Sequence, residues 1–270
     1  MAESKFRTTE LSDPRFEMDG LRFITVKTDN LKGRGDICVW VPEGDHQDLP
    51  IVTLLHGVYG SAWIWAMMGA AHITTKRLID EGKIAPCVLA MPSDGLWGDG
   101  SAYNDHDGFS FEKWIAEDVP QAVRENIPQV SDESKLFISG LSMGGFGALR
   151  IGAKYGHQYT GVTGHSSITE IEQMKIFVEE PVDFYRQADR ENEDVFTAVI
   201  NNKDTLPPFR FDCGETDELI EYNRKLHADL DAAGIPHEYE EFKGGHQWEY
   251  WQEHLADTLV FFNRIDVPVE

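Results

Sequence analysis

The stretch Gly140-Leu141-Ser142-Met143-Gly144 constrains the fold of this chain more than any other. It follows Lys135-Leu-Phe-Ile-Ser139, a short apolar run that reads as a strand, and precedes Phe146–Lys154, whose Ala148, Leu149, Ile151 and Ala153 suit a helix. A serine at the tip of so sharp a strand-to-helix turn takes a strained backbone conformation, with its hydroxyl pushed outward. Positions 140 and 144 must be small, because a Cβ at either would collide with the turn. The start of the following helix brings free N–H groups and positive dipole close to the serine. The pattern predicts that Ser142 is a nucleophile at the edge of an α/β sheet.

The chain has 270 residues, enough for a single α/β domain with a sizeable core, and a single domain over 1–270 is expected. A formal net charge of −23 argues against nucleic acid and anionic lipid as partners. No apolar run is long enough to cross a membrane, and the start Met1-Ala-Glu-Ser-Lys-Phe-Arg lacks a signal core, so a cytoplasmic location is expected. Cys38, Cys87 and Cys213 are widely spaced and odd in number, which predicts buried thiols rather than disulfides or a zinc site. Self-association into a homo-oligomer is left open.

Along the chain, Leu21–Thr28 alternates as a half-exposed strand, Lys32-Gly-Arg-Gly35 reads as a hairpin turn, and Asp36–Pro42 as the return strand. Residues 1–20 are polar and carry no predicted element. Ile51–Leu55 is a buried strand ending in His56-Gly57-Val58-Tyr59-Gly60, a glycine-bearing loop of the kind that builds an oxyanion hole. His56 stands in the wrong chain order to be the base and is read as structural. Trp63–Asp80 reads as one helix and Cys87–Met91 as a strand. The loop from Ser93 to Gly108 follows that strand, so Trp97 and Tyr103 are expected to line a cleft at the carboxyl edge of the sheet. Its Asp99, Asp105 and Asp107 do not have calcium-loop spacing and read as a solvated acidic loop. A helix capped by Ser110 should run to Ile127 with a kink at Pro120. Residues 169–205 are polar and read as a cap or lid inserted in the domain. Strands at Phe209–Cys213 and Pro236–Lys243, with a helix from Glu218 to Ala233 between them and a last helix through Leu255 and Leu259, complete the chain.

A serine hydroxyl needs a histidine to take its proton and an acid to hold that histidine. Asp217 lies just beyond one late strand and His246, after Gly244-Gly245, just beyond the next. Asp212, Glu215 and Glu218 compete with Asp217 as the acid, but Asp212 should lie inside its strand. The order Ser142, Asp217, His246 is that of an α/β-hydrolase. The backbone N–H groups of Met143 and Val58 are the expected oxyanion donors, with Tyr59 second to Val58. Tyr59, Trp97 and Trp248 are candidate substrate contacts. No H-E-x-x-H or comparable cluster is present, so neither a metal nor a cofactor is expected.

From about residue 20 to its end the chain resembles the esterase D-like group of α/β-hydrolases. That group includes tributyrin esterases, S-formylglutathione hydrolases, feruloyl and acetyl-xylan esterases and the mycolyltransferase antigens. The matching stretches are Leu54-Leu-His-Gly57, Gly140-Leu-Ser-Met-Gly-Gly145, Cys213-Gly-Glu-Thr-Asp217 and Gly245-His-Gln-Trp-Glu-Tyr-Trp251. The resemblance implies a mainly parallel sheet with a small cap, and a triad of Ser142, Asp217 and His246 with Val58 and Met143 as oxyanion donors. It also implies cofactor-free hydrolysis of short acyl esters through an acyl-enzyme. S-formylglutathione hydrolysis, or feruloyl, acetyl-xylan or acyltransfer chemistry, is the alternative. The loop at Trp97 has Gly98 where a Trp-Tyr pair is expected, so substrate preference does not carry over.

Overall fold

A computed structural model describes residues 4–266. These residues build one nine-stranded sheet in the order β1-β2-β3-β5-β4-β6-β7-β8-β9. Strands β1 (Thr9–Leu11), β2 (Leu21–Thr28) and β3 (Gly33–Trp40) form an antiparallel flank, and β3 pairs antiparallel with β5 (Val88–Pro92). From β5 through β4 (Ile51–Leu55), β6 (Leu136–Gly140), β7 (Tyr159–His165), β8 (Phe209–Gly214) and β9 (Glu238–Phe242) every pair is parallel. Every residue of β4, β5, β6 and β8 is buried, as continuous apolar runs in a parallel sheet require.

Alternation along these strands feeds two cores. Ile51, Leu55, Val88, Ala90 and Ile138 point to one side, where they pack with Trp114, Phe146 and Leu149. Val52, Leu54, Leu89, Met91 and Phe137 point to the other, against Trp65, Leu78, Leu255 and Phe262. The helices divide accordingly. Short helices α1 (Ile64–Met67) and α2 (Ala71–Asp80) and the long α8 (Trp248–Asp266) supply the second face. The first is covered by α3 (Phe111–Lys113), α4 (Val119–Asn126), α5 (Met143–Lys154), α6 (Val195–Asn201) and α7 (Ile220–Ala232).

Several expectations are corrected. The single helix expected over 63–80 is broken at Gly69 and Ala70. A Cβ at Gly69 would lie 2.7 Å from Trp65 O, and Ala70 is left-handed at φ 50°. Ser110 makes no side-chain cap. Instead of a kink at Pro120, a π-helical turn over Trp114–Asp118 precedes it, with the Val119 N–H bonded back to Trp114 O. The wider turn lets Pro120, which has no N–H, sit in the first turn of α4. Strand β3 begins at Gly33, so the hairpin turn is Asp29–Lys32. Gly35 lies inside the strand because the Trp114 ring would be 2.6 Å from any Cβ there. Strand β1 had no predicted counterpart: three residues are too few to show alternation. Residues 169–205 form 3-10 turns and α6.

Candidate active site

Ser142 stands between β6 and α5 at φ 55°, ψ −119°. Its N–H donates to His165 O on β7 at 3.0 Å, and its carbonyl accepts Ile168 N–H at 3.2 Å. The expected need for small neighbours is met in atomic detail. A Cβ on Gly140 would lie 2.2 Å from Gly144 O, and one on Gly144 would lie 2.3 Å from Leu55 O.

The loops after β8 and β9 are joined to each other. Glu215 N–H donates to Phe242 O at 2.8 Å, and Thr216 gives both its N–H (2.9 Å) and its hydroxyl (2.8 Å) to Gly244 O. Gly244, at φ 135°, has the conformation this turn needs. The junction brings together residues 29 positions apart: His246 Nδ1 lies 3.1 and 3.0 Å from the two Asp217 oxygens. The Asp217 carboxylate is fully buried and also accepts Leu219 N–H at 2.8 Å. On its other side His246 Nε2 is 2.9 Å from Ser142 Oγ. Three side chains picked out by chain order thus form one hydrogen-bonded line. Asp212, by contrast, is inside β8 and bonded to His165, Arg210 and Tyr250. Burial disfavours its charge, yet the His165 and Arg210 charges and these hydrogen bonds hold its carboxyl down at about 2.

The His246 ring is held between Phe177, stacked at 4.9 Å, and Trp251, edge-on at 5.0 Å. Phe177 was not expected here. It reaches the site from a segment with no sheet pattern, and no local signal marks such a contact. Trp251 lies in the aromatic run after His246, one helical turn beyond Trp248.

Among the described residues, the N–H groups of Met143 and Val58 have no hydrogen-bond acceptor. Tyr59 N–H, the second choice in this loop, is committed to Asp99 O at 2.7 Å. Gly57 lets the loop approach the elbow: a Cβ there would be 3.3 Å from Ser142 Cβ. His56 is buried beneath. Its Nε2 accepts Asp94 N–H at 3.2 Å, so its proton sits on Nδ1 and donates to Gly57 O at 2.7 Å. Both ring nitrogens are engaged, in keeping with a structural role.

Tyr103 does not line a cleft. It is fully buried under Gly147, and its hydroxyl donates to His56 O at 3.0 Å. Arg150 of α5 donates to Tyr103 O and pairs with Glu112, bracing that loop from below. Trp97 packs edge-on against His106, Phe184 and Tyr185, so it anchors the 169–205 segment. Trp248 stands one ring away from His246, touching Trp65 and Trp251. Tyr59 is 66% exposed and its hydroxyl donates to Phe177 O, tying the loop after β4 to the same segment. Asp99 and the segment are doubly linked: Asp99 N–H donates to Glu180 and Glu179 N–H donates to Asp99. This explains Gly98. It lies at φ 52°, and a Cβ would be 2.3 Å from Glu180 Oε1. The acidic loop is thus a binding partner of the segment as well as a solvated one.

This fold and site agree with what the chain is similar to. The profile of the family described as "Putative esterase" matches residues 28–262. An acetyl esterase of Caldicellulosiruptor saccharolyticus is 27% identical over 239 residues, covering 82% of this chain and 86% of that one. A ferulic acid esterase structure superposes with a TM-score of 0.77 at 23% identity, over 95% and 99% of the two chains. An S-formylglutathione hydrolase from Staphylococcus aureus gives 0.75 at 16% identity, over 94% and 99%. These structures establish the α/β-hydrolase fold. The chain belongs to this esterase family. It is a serine hydrolase that acts on small-molecule carboxylic esters. No helix among the described residues is long and apolar enough to cross a membrane.

Proposed function

We propose that Ser142, His246 and Asp217 are the catalytic triad of a carboxylesterase for short, uncharged acyl esters. The observation that carries this reading is the line Ser142 Oγ, His246 Nε2, His246 Nδ1, Asp217. Ser142 attacks the ester carbonyl while His246 Nε2 takes its proton. Asp217 keeps the other imidazole proton on Nδ1 and stabilises the imidazolium as it forms. The Val58 and Met143 N–H groups receive the developing oxyanion, each contributing about 10²- to 10³-fold. His246 then protonates the departing alcohol, and water releases the acid by the same route. One chain supplies every residue of this site, so a homo-oligomer is not required for it.

The mouth favours neutral substrates. Asp99, Glu179 and Glu180 surround Tyr59, and partial burial together with these charges pushes the Tyr59 hydroxyl's pKa up. Glutathione esters carry carboxylates, which this mouth repels. The acetyl esterase relative supports a short acyl group. A second reading, an aromatic acyl group, is favoured by the Phe177 ring beside His246 and the exposed Tyr59 above it. Residues 169–205 act as a cap within the single domain, fastened to the oxyanion loop through Tyr59 and Asp99. The three cysteines are free and buried, which supports a reducing, cytoplasmic setting.

The test is initial rates on p-nitrophenyl esters of rising chain length, with methyl ferulate and S-formylglutathione alongside, for wild type and Ser142→Ala. The expected result is turnover of short neutral esters, little of the thioester, and a dead but folded variant. Wild-type-like activity in Ser142→Ala would refute the assignment of the nucleophile. A preference for S-formylglutathione would refute the substrate reading.

A further inference from the structure

Helix α7 and strand β9 carry a second cluster of chemistry-bearing side chains. His227 and Asp231, one helical turn apart on α7, meet His237 just before β9. One donor atom from each of the three lies within 4.8 Å of the others. His237 is oriented by its backbone: its Nδ1 is 2.8 Å from Ile235 O, which fixes the ring proton there and leaves Nε2 as the acceptor nitrogen. A backbone carbonyl on the far nitrogen is the support that metal-bound histidines use. His237 Nε2 faces His227 Nδ1 at 2.8 Å and Asp231 Oδ1 at 4.0 Å. The other Asp231 oxygen is 3.5 Å from His227 Nε2.

Packing fixes both rings. His237 is 1% exposed in its side chain and stacks on Phe211 at 5.7 Å, and His227 stacks on Tyr239 at 4.7 Å. Tetrahedral zinc with bonds of about 2.0 Å needs donors about 3.3 Å apart, so the 2.8 Å separation must open by about 0.5 Å and the 4.0 Å one close by about 0.7 Å, the latter by a turn of the exposed Asp231 side chain.

We propose that His227, Asp231 and His237 form a site for a divalent transition-metal ion of the zinc type. His237 Nε2, His227 Nδ1 and one Asp231 oxygen are the ligands, and water takes the fourth position. In the metal-free pair a single proton lies between the two facing nitrogens. Metal binding displaces it, and His227 carries it instead on Nε2, beside Asp231. Two imidazoles and one carboxylate suit zinc, cobalt or nickel and do not suit calcium or magnesium. The net charge of −23 adds a general attraction for cations.

The location indicates a role. Asp217 precedes the first turn of α7 and His246 follows the last residue of β9. The proposed ion joins the other ends of the same two elements. It would therefore brace the scaffold behind the acid and histidine loops without touching them. The three residues follow no zinc motif in the sequence and come together only through the fold.

The test is thermal unfolding and titration calorimetry of the full chain with Zn²⁺, and visible absorption with Co²⁺, for wild type, His227→Gln and Asp231→Asn. Both changes are at partly exposed positions, so the variants should fold. The expected result is one ion per chain, a Tm rise of about 5 °C at a hundredfold excess over Kd, and loss of both in His227→Gln. Asp231→Asn should weaken binding at least tenfold. Asp217, Glu218 and His246 form the other metal-capable cluster among the described residues, so His246→Ala is the control. Absence of binding in wild type would overturn the proposal. So would binding that survives His227→Gln but is lost in His246→Ala.

Discussion

Replacing Asp217 with asparagine should disable catalysis while leaving the fold intact, and the reason lies in one hydrogen bond outside the proposed triad. Asp217 Oδ1 accepts from Leu219 N–H as well as from His246 Nδ1. His246 Nδ1 also lies 3.0 Å from Oδ2, so an asparagine must set its NH₂ at one of these two oxygen positions. If the oxygen faces His246, the amide NH₂ meets Leu219 N–H, donor against donor, in a buried site. That leaves buried donors without acceptors at about 1–3 kcal/mol each. The oxygen therefore stays with Leu219, and the NH₂ faces His246 Nδ1. With the NH₂ at 3.0 Å from Nδ1, the favoured imidazole tautomer carries its proton on Nε2, aimed at Ser142 Oγ 2.9 Å away, and cannot accept the serine proton. A wrong-tautomer histidine costs about 10⁴-fold, equivalent to about 5 kcal/mol of transition-state stabilisation. The assay is kcat/KM on a short p-nitrophenyl ester, alongside thermal unfolding. The expected outcome is a loss near four orders of magnitude with Tm within a few degrees of wild type. Activity within tenfold of wild type in a folded variant would refute the tautomer argument and the choice of Asp217 as the acid.

Two further outcomes follow from the sheet beneath the site. Gly144→Ala places a Cβ 2.3 Å from Leu55 O and 2.5 Å from His56 O, both backbone atoms, so the elbow must move. A loss of about 2–4 kcal/mol in urea unfolding and a collapse of kcat are expected, and a near-neutral effect on both would show the elbow to be looser than described. Asp212→Asn removes a fully buried carboxylate that holds His165, Arg210 and Tyr250, and should cost about 3–5 kcal/mol at pH 7. Because the folded-state pKa is depressed to about 2 from 3.8, its contribution is present above the unfolded value and is lost as pH falls through that window. Wild type should therefore shed about 2 kcal/mol between pH 4 and pH 2 that the asparagine variant does not, measured by denaturant midpoints at each pH.

The candidate triad, Ser142, Asp217 and His246, was legible because the constraints that place it are local. Gly140, Gly144 and Gly244 each mark a place where the backbone leaves no room or takes a conformation that side chains avoid, and such signals survive in a single sequence. Parallel strands were legible for a similar reason, since burial on both faces leaves unbroken apolar runs such as Ile51–Leu55. Contacts made by tertiary packing were not. Nothing around Phe177 indicates that its ring covers His246, and Tyr103, with the same residue type and loop position as a cleft-lining residue, is a buried strut. The π-turn before Pro120 was missed because the proline predicts a break in the hydrogen-bond ladder, not which turn absorbs it. The His227–Asp231–His237 cluster joins elements whose spacing in the chain carries no motif.

The strain at Ser142 shows why such a site needs a sheet around it. A non-glycine residue at φ 55°, ψ −119° costs about 1–3 kcal/mol, and a free turn would relax. Here relaxation would break the bonds from Ser142 N–H to His165 O and from Ile168 N–H to Ser142 O, and disturb Leu141 N–H on Leu55 O. These groups are buried, and each one left unsatisfied would cost about 1–3 kcal/mol, so holding the strained form is the cheaper outcome. The partners lie on β4, at the end of β7 and just beyond it, on the two sides of β6. No local segment could supply them. The same bonds set the direction of the Met143 N–H, because it is the next peptide along from a serine whose own N–H and carbonyl are both fixed. The strain at Ser142, the aim of its hydroxyl and the direction of the proposed oxyanion donor are therefore one structural property here. A change that relieved the strain would be expected to remove the activity with it.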